Sequence, residues 1–231
     1  MTSLKLLSFV KGIAKEKGFT LDSAQVEALS HLALRANYLV KFKKRTWFGN
    51  ILDKRKKRNS LYIWGGVGRG KTFIVDCFYK AVPLVEKKRI HFHQFMEDVH
   101  RRLKTLQGRR DPLSSIGKQI GESTQLLCLD EFQITDIGDA MIMHKLLESL
   151  FSSPIILITT SNTLPNELYK DGLQRQRFLP AIDLILSNMT VHNLDKGIDY
   201  RLTALSYAGR YHLSSEKSHS VMRKSFSRLS G

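Results

Sequence analysis

The sequence predicts an α/β fold, a parallel sheet with helices on both faces, preceded by an N-terminal helix and followed by a disordered C-terminal tail. Short apolar runs without the alternation of half-exposed strands recur at Leu61-Tyr62-Ile63-Trp64, Leu126-Leu127-Cys128-Leu129 and Ile155-Ile156-Leu157-Ile158-Thr159-Thr160. Strands buried on both faces read this way. Stretches of helical period separate these runs, the order that builds parallel sheets. The length of 231 residues suits one core with a small appended element.

The elements follow in chain order. Residues 1–17 are mildly apolar and basic, with no acid before Glu16. An ordinary first helix is preferred here over a weak organelle-targeting helix, and no secretory cleavage pattern is evident. Asp22, with Gln25 three residues on, has the form of a helix N-cap and its reciprocal partner. Val26, Leu29, Leu32 and Ala33 then recur at helical spacing, predicting an amphipathic helix over 23–40. A basic segment, 41–59, links it to the core. The strand 61–64 is followed by a glycine-rich loop and a helix through Tyr79. Arg89-Ile90-His91-Phe92-His93 reads as a second strand and Phe95 to Leu106 as a helix. After the strand at 126–129, Ile137 to Phe151 is helical and 155–160 is a fourth strand. Residues 166–187 read as helix with a break near Pro180, and Met189 to Leu194 as a fifth strand. Past Leu202, Ser, His, Lys and Arg dominate without an apolar period, so the tail is read as disordered. The organisation is therefore 1–59 helical segment and basic linker, 60–203 core, and 204–231 tail.

Composition narrows the function. No run of about eighteen apolar residues predicts a membrane span. Cys77 and Cys128 lie in apolar stretches without metal or redox spacing, as buried thiols do. The net charge of +16, with a pI near 9.9, suits contact with polyanions. Part of it is concentrated in Lys41, Lys43, Lys44, Arg45 and Lys54-Arg55-Lys56-Lys57-Arg58 around Trp47-Phe48-Gly49. That run, 41–58, is either a solvated linker or a patch for nucleic acid or another polyanion.

One motif carries definite chemistry. Gly65-Gly66-Val67-Gly68-Arg69-Gly70-Lys71-Thr72 fits G-x-x-x-x-G-K-T without a mismatch. Glycines let the backbone curl so that successive N–H groups cradle phosphate oxygens. The helix that follows aims its N-terminal partial charge at the same oxygens. Lys71 is placed to reach the β- and γ-phosphates, and Thr72 to offer a hydroxyl to Mg²⁺. The strand before it and the helix after it complete a phosphate-binding P-loop, so the fold class is that of a parallel-sheet P-loop NTPase binding ATP or a close analogue.

Asp130-Glu131 closes the third strand, where doubly wound sheets place ligands. Asp130 is a candidate for holding Mg²⁺, directly or through water, and Glu131 for polarising the water that attacks the γ-phosphate. The bland alternative is a pair of acids capping a turn. Asn162, after Thr159-Thr160-Ser161, is placed either to orient that water or simply to make an Asx turn before Pro165. Arg175 and Arg177 are candidates for stabilising charge on the transferring phosphoryl group, from the same or a neighbouring subunit, or for surface salt bridges. Spacing does not decide between them. His91 and His93, alternating on the predicted strand, face one way, but without a third ligand they read as a packed pair. Asp136 and Asp139 read as capping the next helix.

At these residues the chain resembles the ZapE (cell-division) ATPase family. The resemblance rests on residues 61–72, His91-Phe92-His93-Gln94-Phe95-Met96, Leu129-Asp130-Glu131-Phe132, and Asp136-Ile137-Gly138-Asp139-Ala140-Met141. It continues through Thr160-Ser161-Asn162, residues 172–183 and Asp199-Tyr200-Arg201-Leu202, covering about 20–203. The resemblance implies an AAA+-type ATPase core, with Lys71 and Thr72 as Walker A, Asp130 and Glu131 as Walker B, and Asn162 as sensor 1. Arg175 or Arg177 would be an arginine finger acting between subunits of a homo-oligomer. ATP and Mg²⁺ are the implied cofactors. Bacterial members are associated with FtsZ and the division machinery, eukaryotic ones with mitochondrial quality control, so a cytoplasmic or, in a eukaryote, mitochondrial setting is expected. Family members continue past Leu202 with more folded sequence, where this chain has a Ser-rich basic tail. If that part carries lid or partner contacts, nucleotide binding is expected to survive with hydrolysis or assembly weakened. Three functions remain in view: a protein-remodelling ATPase, a nucleic-acid-associated ATPase of the helicase-loader kind, and a nucleotide-binding scaffold without turnover.

Overall fold

The computed structural model describes residues 3–43 and 59–195. The basic residues 44–58, the predicted tail 204–231 and the motif at 199–202 lie outside the described residues, and with them most of the excess positive charge. Five strands, β1 (Ser60–Trp64), β2 (Lys87–His91), β3 (Leu126–Asp130), β4 (Ile156–Ser161) and β5 (Met189–Asn193), form one sheet in the order β2-β3-β4-β1-β5. All four pairings are parallel. Parallel neighbours require crossovers, and helices supply them: α3 (Lys71–Ala81), α4 (Phe92–Thr105), α5 (Pro112–Ser123), α6 (Ile137–Ser152) and α7 (Leu179–Asn188). Two more helices, α1 (Ser3–Glu16) and α2 (Ser23–Lys43), precede the sheet, the second reaching further into the basic run than its apolar period predicted.

The period of two along each strand divides the core into two layers. Tyr62, Leu127, Leu129 and Leu157 face α4, α5, α6 and α7. Leu61, Ile63, Leu126, Cys128, Ile156 and Ile158 face α1, α2 and α3. β3 and β4 are buried throughout, which is why their sequences show no alternation. On α1, Leu6, Val10 and Ala14 make the buried stripe while Lys5, Lys11 and Lys15 remain in water.

Three expectations are corrected. The second strand ends at His91, because Phe92, Phe95, Met96 and Val99 recur at helical spacing and are all buried on α4. His91 and His93 therefore do not share a strand face: His93 pairs with Glu97 one helical turn on, at 3.2 Å, and His91 approaches Glu131. Residues 166–187 are not one broken helix. They hold two 3-10 turns, Pro165–Glu167 and Arg175–Arg177, before α7. Left-handed backbone at Tyr169 and Gln174 interrupts the segment, and Pro180 starts α7 rather than breaking it, where a missing N–H costs nothing. The helix α5 went unread, although its signals are plain afterwards. Asp111 caps it by accepting from the Ser114 amide, Pro112 opens it, and Ile116 and Ile120 are buried one turn apart.

Among the described residues no helix is long and apolar enough to cross a membrane. Both thiols are buried, as expected, and burial pushes each above its ordinary range. Since the thiolate is the nucleophile, Ellman's reagent at mildly alkaline pH should leave Cys77 and Cys128 unmodified in the native protein and titrate both in denaturant. Fast labelling of the native chain would contradict this packing.

Candidate functional site

The carboxyl ends of β1, β3 and β4 converge, with Trp64 opposite Ser161 and Leu129 opposite Thr159. The loop leaving β1 turns into α3 above them. A cleft of about 340 Å³ opens there, lined by residues 67–72 with Glu131, Thr160, Ser161 and Asn162. Residues far apart in sequence thus meet at the sheet edge favoured for ligands in open α/β folds.

The loop is built as its composition demands. Gly70 caps α3 at φ 79, a left-handed conformation that suits glycine. It is also crowded, since a Cβ there would stand 2.7 Å from the Gln25 side-chain nitrogen. Gly65 donates its amide to Ser161 O at 3.2 Å, continuing the β1–β4 pairing into the loop. Lys71 Nζ donates to the carbonyls of Gly65 and Gly66 at 2.6 and 2.7 Å, folded over its own loop. Thr72, in the first turn of α3, is exposed in the cleft.

The acidic pair divides. Glu131 turns out of the sheet through left-handed backbone, φ 57, a conformation that costs a non-glycine residue about 1–3 kcal/mol when it is held in place. Its amide donates to Thr160 Oγ1 at 3.1 Å, and the next amide, Phe132, donates to Thr160 O at 2.7 Å. Thus anchored, Glu131 presents a largely exposed carboxylate to the cleft, 3.7 Å from His91 Nδ1. Asp130 is buried instead. Its Oδ1 accepts from Thr160 Oγ1 at 3.2 Å and its Oδ2 from Arg89 Nε at 2.6 Å. The residue does not line the cleft wall.

Arg89 ties three elements together. From β2 it reaches Asp130 on β3, Asp76 on α3 at 2.7 Å, and the Thr72 carbonyl at 3.4 Å. Burial pushes the Asp76 carboxyl up, but the hydrogen bond and charge of Lys80 together with Arg89 outweigh it and hold the group below its usual value. The guanidinium thereby fixes the first turn of the phosphate-loop helix relative to the acidic strand tip, using the fork geometry that lysine lacks.

Two further supports hold the loop from outside. Asp22 and Gln25 make the reciprocal cap expected at the start of α2, at 2.8 and 3.2 Å. Gln25, buried, also donates its side-chain nitrogen to Arg69 O at 3.1 Å, so the cap residue props the loop as well. Past the end of β5, Asp195 Oδ1 accepts the Gly66 amide at 2.5 Å and lies 3.7 Å from Arg69 Nε.

Of the residues singled out by sequence, 67–72, Glu131 and Asn162 meet in the cleft, and Gly65 and Gly66 underlie it. Asp130 stands behind Thr160. Arg175 and Arg177 lie apart, on a 3-10 turn before α7. Arg175 is half-buried and donates to Asn166 O at 2.7 Å, whereas Arg177 is exposed. Sequence reading missed Arg89, Thr160 and Asp195. For the first two a signal existed: an arginine inside a predicted strand, and a threonine ending an apolar one. Asp136 caps α6 as expected, and Asp139 pairs with His100 at 2.7 Å.

The profile of the AFG1-like ATPase family matches residues 7–231. Cell division protein ZapE of Escherichia coli (strain K12) is 44% identical over 200 residues, covering 81% of this chain and 53% of that protein. Lactation elevated protein 1 homolog B of Danio rerio is 46% identical over 167 residues, covering 67% of this chain and 33% of that one. The chain spans about half the length of the first and a third of the second. Among solved structures, AMPPCP-bound DnaA from Aquifex aeolicus matches with TM-score 0.54 at 14% identity, over 92% of this chain and 62% of its own. A DnaI structure matches at 0.50 and 17% identity, over 77% and 85%. At such identities these two bear on fold alone, and the fold is the AAA+ P-loop fold expected from the sequence.

Replacing Arg89 strands the buried Asp130 carboxylate. Arg89→Ala should destabilise the protein by about 3 kcal/mol, seen as a fall in melting temperature of roughly 6–12 °C, with Arg89→Lys recovering part of it. A melting temperature unchanged in Arg89→Ala would show that the pair carries no such weight.

Proposed function

The chain belongs to the AFG1-like ATPase family, and we propose that it binds and hydrolyses ATP with Mg²⁺, acting between subunits of a homo-oligomer. The observation that carries this reading is the meeting of Lys71, Thr72, Glu131 and Asn162 in one cleft. Lys71 exchanges the two loop carbonyls for the β- and γ-phosphate oxygens, while the loop amides and the α3 N-terminus hold the remaining charge. Glu131, held by Thr160 and exposed to the cleft, takes the proton of the attacking water, and Asn162 orients that water. Mg²⁺, when bound, neutralises phosphate charge. Thr72 would hold it with its hydroxyl and Asp130 through water, which suits an aspartate whose two oxygens already accept from Arg89 and Thr160.

Arg177 rather than Arg175 serves as the finger offered to a neighbouring subunit. It is exposed, whereas Arg175 is held by the Asn166 carbonyl of its own chain. The relative named as a cell division protein supports a role in remodelling division proteins, FtsZ among them, in a cytoplasmic setting, or in mitochondria if the chain is eukaryotic. A second reading, an ATPase working on nucleic acid, is favoured by the positive charge gathered in 44–58 and 196–231. DNA or RNA that stimulates turnover and binds with a steep salt dependence would favour it.

Steady-state turnover with parallel nucleotide-binding measurements separates these roles. Lys71→Ala should lose nucleotide binding and turnover together. Glu131→Gln should keep binding within a few-fold and lose about 10²–10⁴ in kcat. Equal turnover in wild type and both variants would sink the hydrolase reading. If the site is shared, kcat per chain should rise with protein concentration, and Arg177→Ala should abolish that rise while leaving nucleotide affinity intact. A concentration-independent kcat would count against subunit coupling.

A further inference from the structure

Away from the cleft, where α2 lies against the sheet edge, Glu27, His31 and His192 each bring one ligand atom to within 4.8 Å of the other two. The ATPase chemistry uses none of them. Glu27 and His31 stand four residues apart on α2 and so share a helix face. His192 comes from β5, far later in the chain. The two imidazole rings lie 5.2 Å apart between centroids, and His31 Nε2 is 3.9 Å from Glu27 Oε1. His192 is buried, and its Nε2 is 3.0 Å from the carbonyl oxygen of Ala24. A carbonyl only accepts, so Nε2 carries a proton, and in the neutral ring the lone pair is then on Nδ1. Histidines that ligate metals take this arrangement, with the second ring nitrogen fixed by a backbone carbonyl.

We propose that Glu27, His31 and His192 form a binding site for a divalent ion of the zinc class, which clasps α2 to β5. Two imidazoles and one carboxylate are a donor set for such an ion, with water completing a tetrahedron. Mg²⁺ and Ca²⁺ demand more oxygen donors than the trio supplies. Ligand atoms around tetrahedral zinc lie about 3.3 Å apart, so the trio must close. The closure falls to Glu27, which is exposed, and His31, which is half-buried, while His192 is already held. Burial first holds the His31 imidazole below its ordinary value, with Arg35 acting in the same sense and Glu27 opposing it. The Arg35 charge opposes a cation, but its guanidinium is directed to the carbonyls of His31, Asn59 and Ser60 and to Thr190 Oγ1. Glu27 supplies the compensating negative charge.

The consequence reaches the phosphate loop. Two residues before Glu27, the same helix carries Gln25, whose side chain holds the Arg69 carbonyl. An ion fastening α2 to β5 would stiffen that prop without touching nucleotide. The proposal does not rest on the ATPase reading, and its test uses no nucleotide.

Full-length protein, stripped with chelator, is titrated with Co²⁺ and then Zn²⁺. The expected result is a visible d–d absorption of tetrahedral intensity that saturates at one equivalent of Co²⁺ and is bleached by Zn²⁺. Zn²⁺ at a hundredfold excess over its Kd should raise the melting temperature by about 5–10 °C. His31→Gln should abolish both signals, and Glu27→Gln should weaken Co²⁺ binding roughly tenfold or more. Both side chains reach solvent, so neither variant opens the core. Absence of the tetrahedral band would overturn the proposal. So would a band and a Zn²⁺ shift that survive unchanged in His31→Gln, as binding by histidines elsewhere, such as His212 or His219, would produce.

Discussion

Burying the carboxylate of Asp130 at the tip of β3 is the constraint around which the site is arranged. An uncompensated carboxylate there would cost several kcal/mol, and compensation comes from both neighbouring strands. Arg89 from β2 takes one oxygen and Thr160 from β4 takes the other. Both depend on the parallel register that sets His91 opposite Asp130 and Thr159 opposite Leu129. Each partner then has a second task. Arg89 extends to Asp76 and the Thr72 carbonyl of α3, and Thr160 accepts the Glu131 amide and the next amide's bond at its carbonyl. Satisfying one buried charge therefore sets the distance between the phosphate-loop helix and the acidic tip, and fixes the turn that brings Glu131 into the cleft.

This explains why two adjacent acids have different surroundings. Asp130 still belongs to the strand, so its side chain is buried and must be paired. Glu131 is the first residue past the ladder, and its left-handed backbone sends the carboxylate toward solvent. The conformation is unfavourable for glutamate in isolation and persists because Thr160 holds the peptide groups on either side. Held strain of this kind clusters at functional sites, and here it keeps the Glu131 carboxylate at the cleft without desolvating it.

Much of this was legible in the sequence because its physics is local. The phosphate loop is a contiguous motif, β3 and β4 announce their double burial by unbroken apolar runs, and the Asp22–Gln25 cap is a spacing of three. What was not legible depends on register or on partners distant in the chain. Arg89 read as part of a basic strand, since nothing in Lys87-Lys88-Arg89 says that β3 lies beside it with Asp130 two steps on. Asp195 meets Gly66 only because β5 lies next to β1, an adjacency that strand order decides and spacing does not. The misreading of His93 was of another kind. Phe92 suits a strand by propensity, but it shares the buried face of Phe95, Met96 and Val99, so the helix predicted from Phe95 begins three residues earlier and takes in His93.

The loop itself is held unevenly, and the unevenness has a physical logic. Ser161 O, Asp195 and Gln25 contact Gly65, Gly66 and Arg69, each from a different element. Residues 67–72 line the cleft, and Lys71 closes over the carbonyls of Gly65 and Gly66. A phosphate-binding loop gains most when its amides are oriented before the ligand arrives, because reorganising dipoles during binding forfeits part of the interaction. Anchoring the outer backbone through α2, β4 and the end of β5 supplies that orientation while the cleft-facing side stays open. Lys71 is the exception: its Nζ would have to leave the Gly65 and Gly66 carbonyls to meet an anion, and those carbonyls are acceptors that water can satisfy.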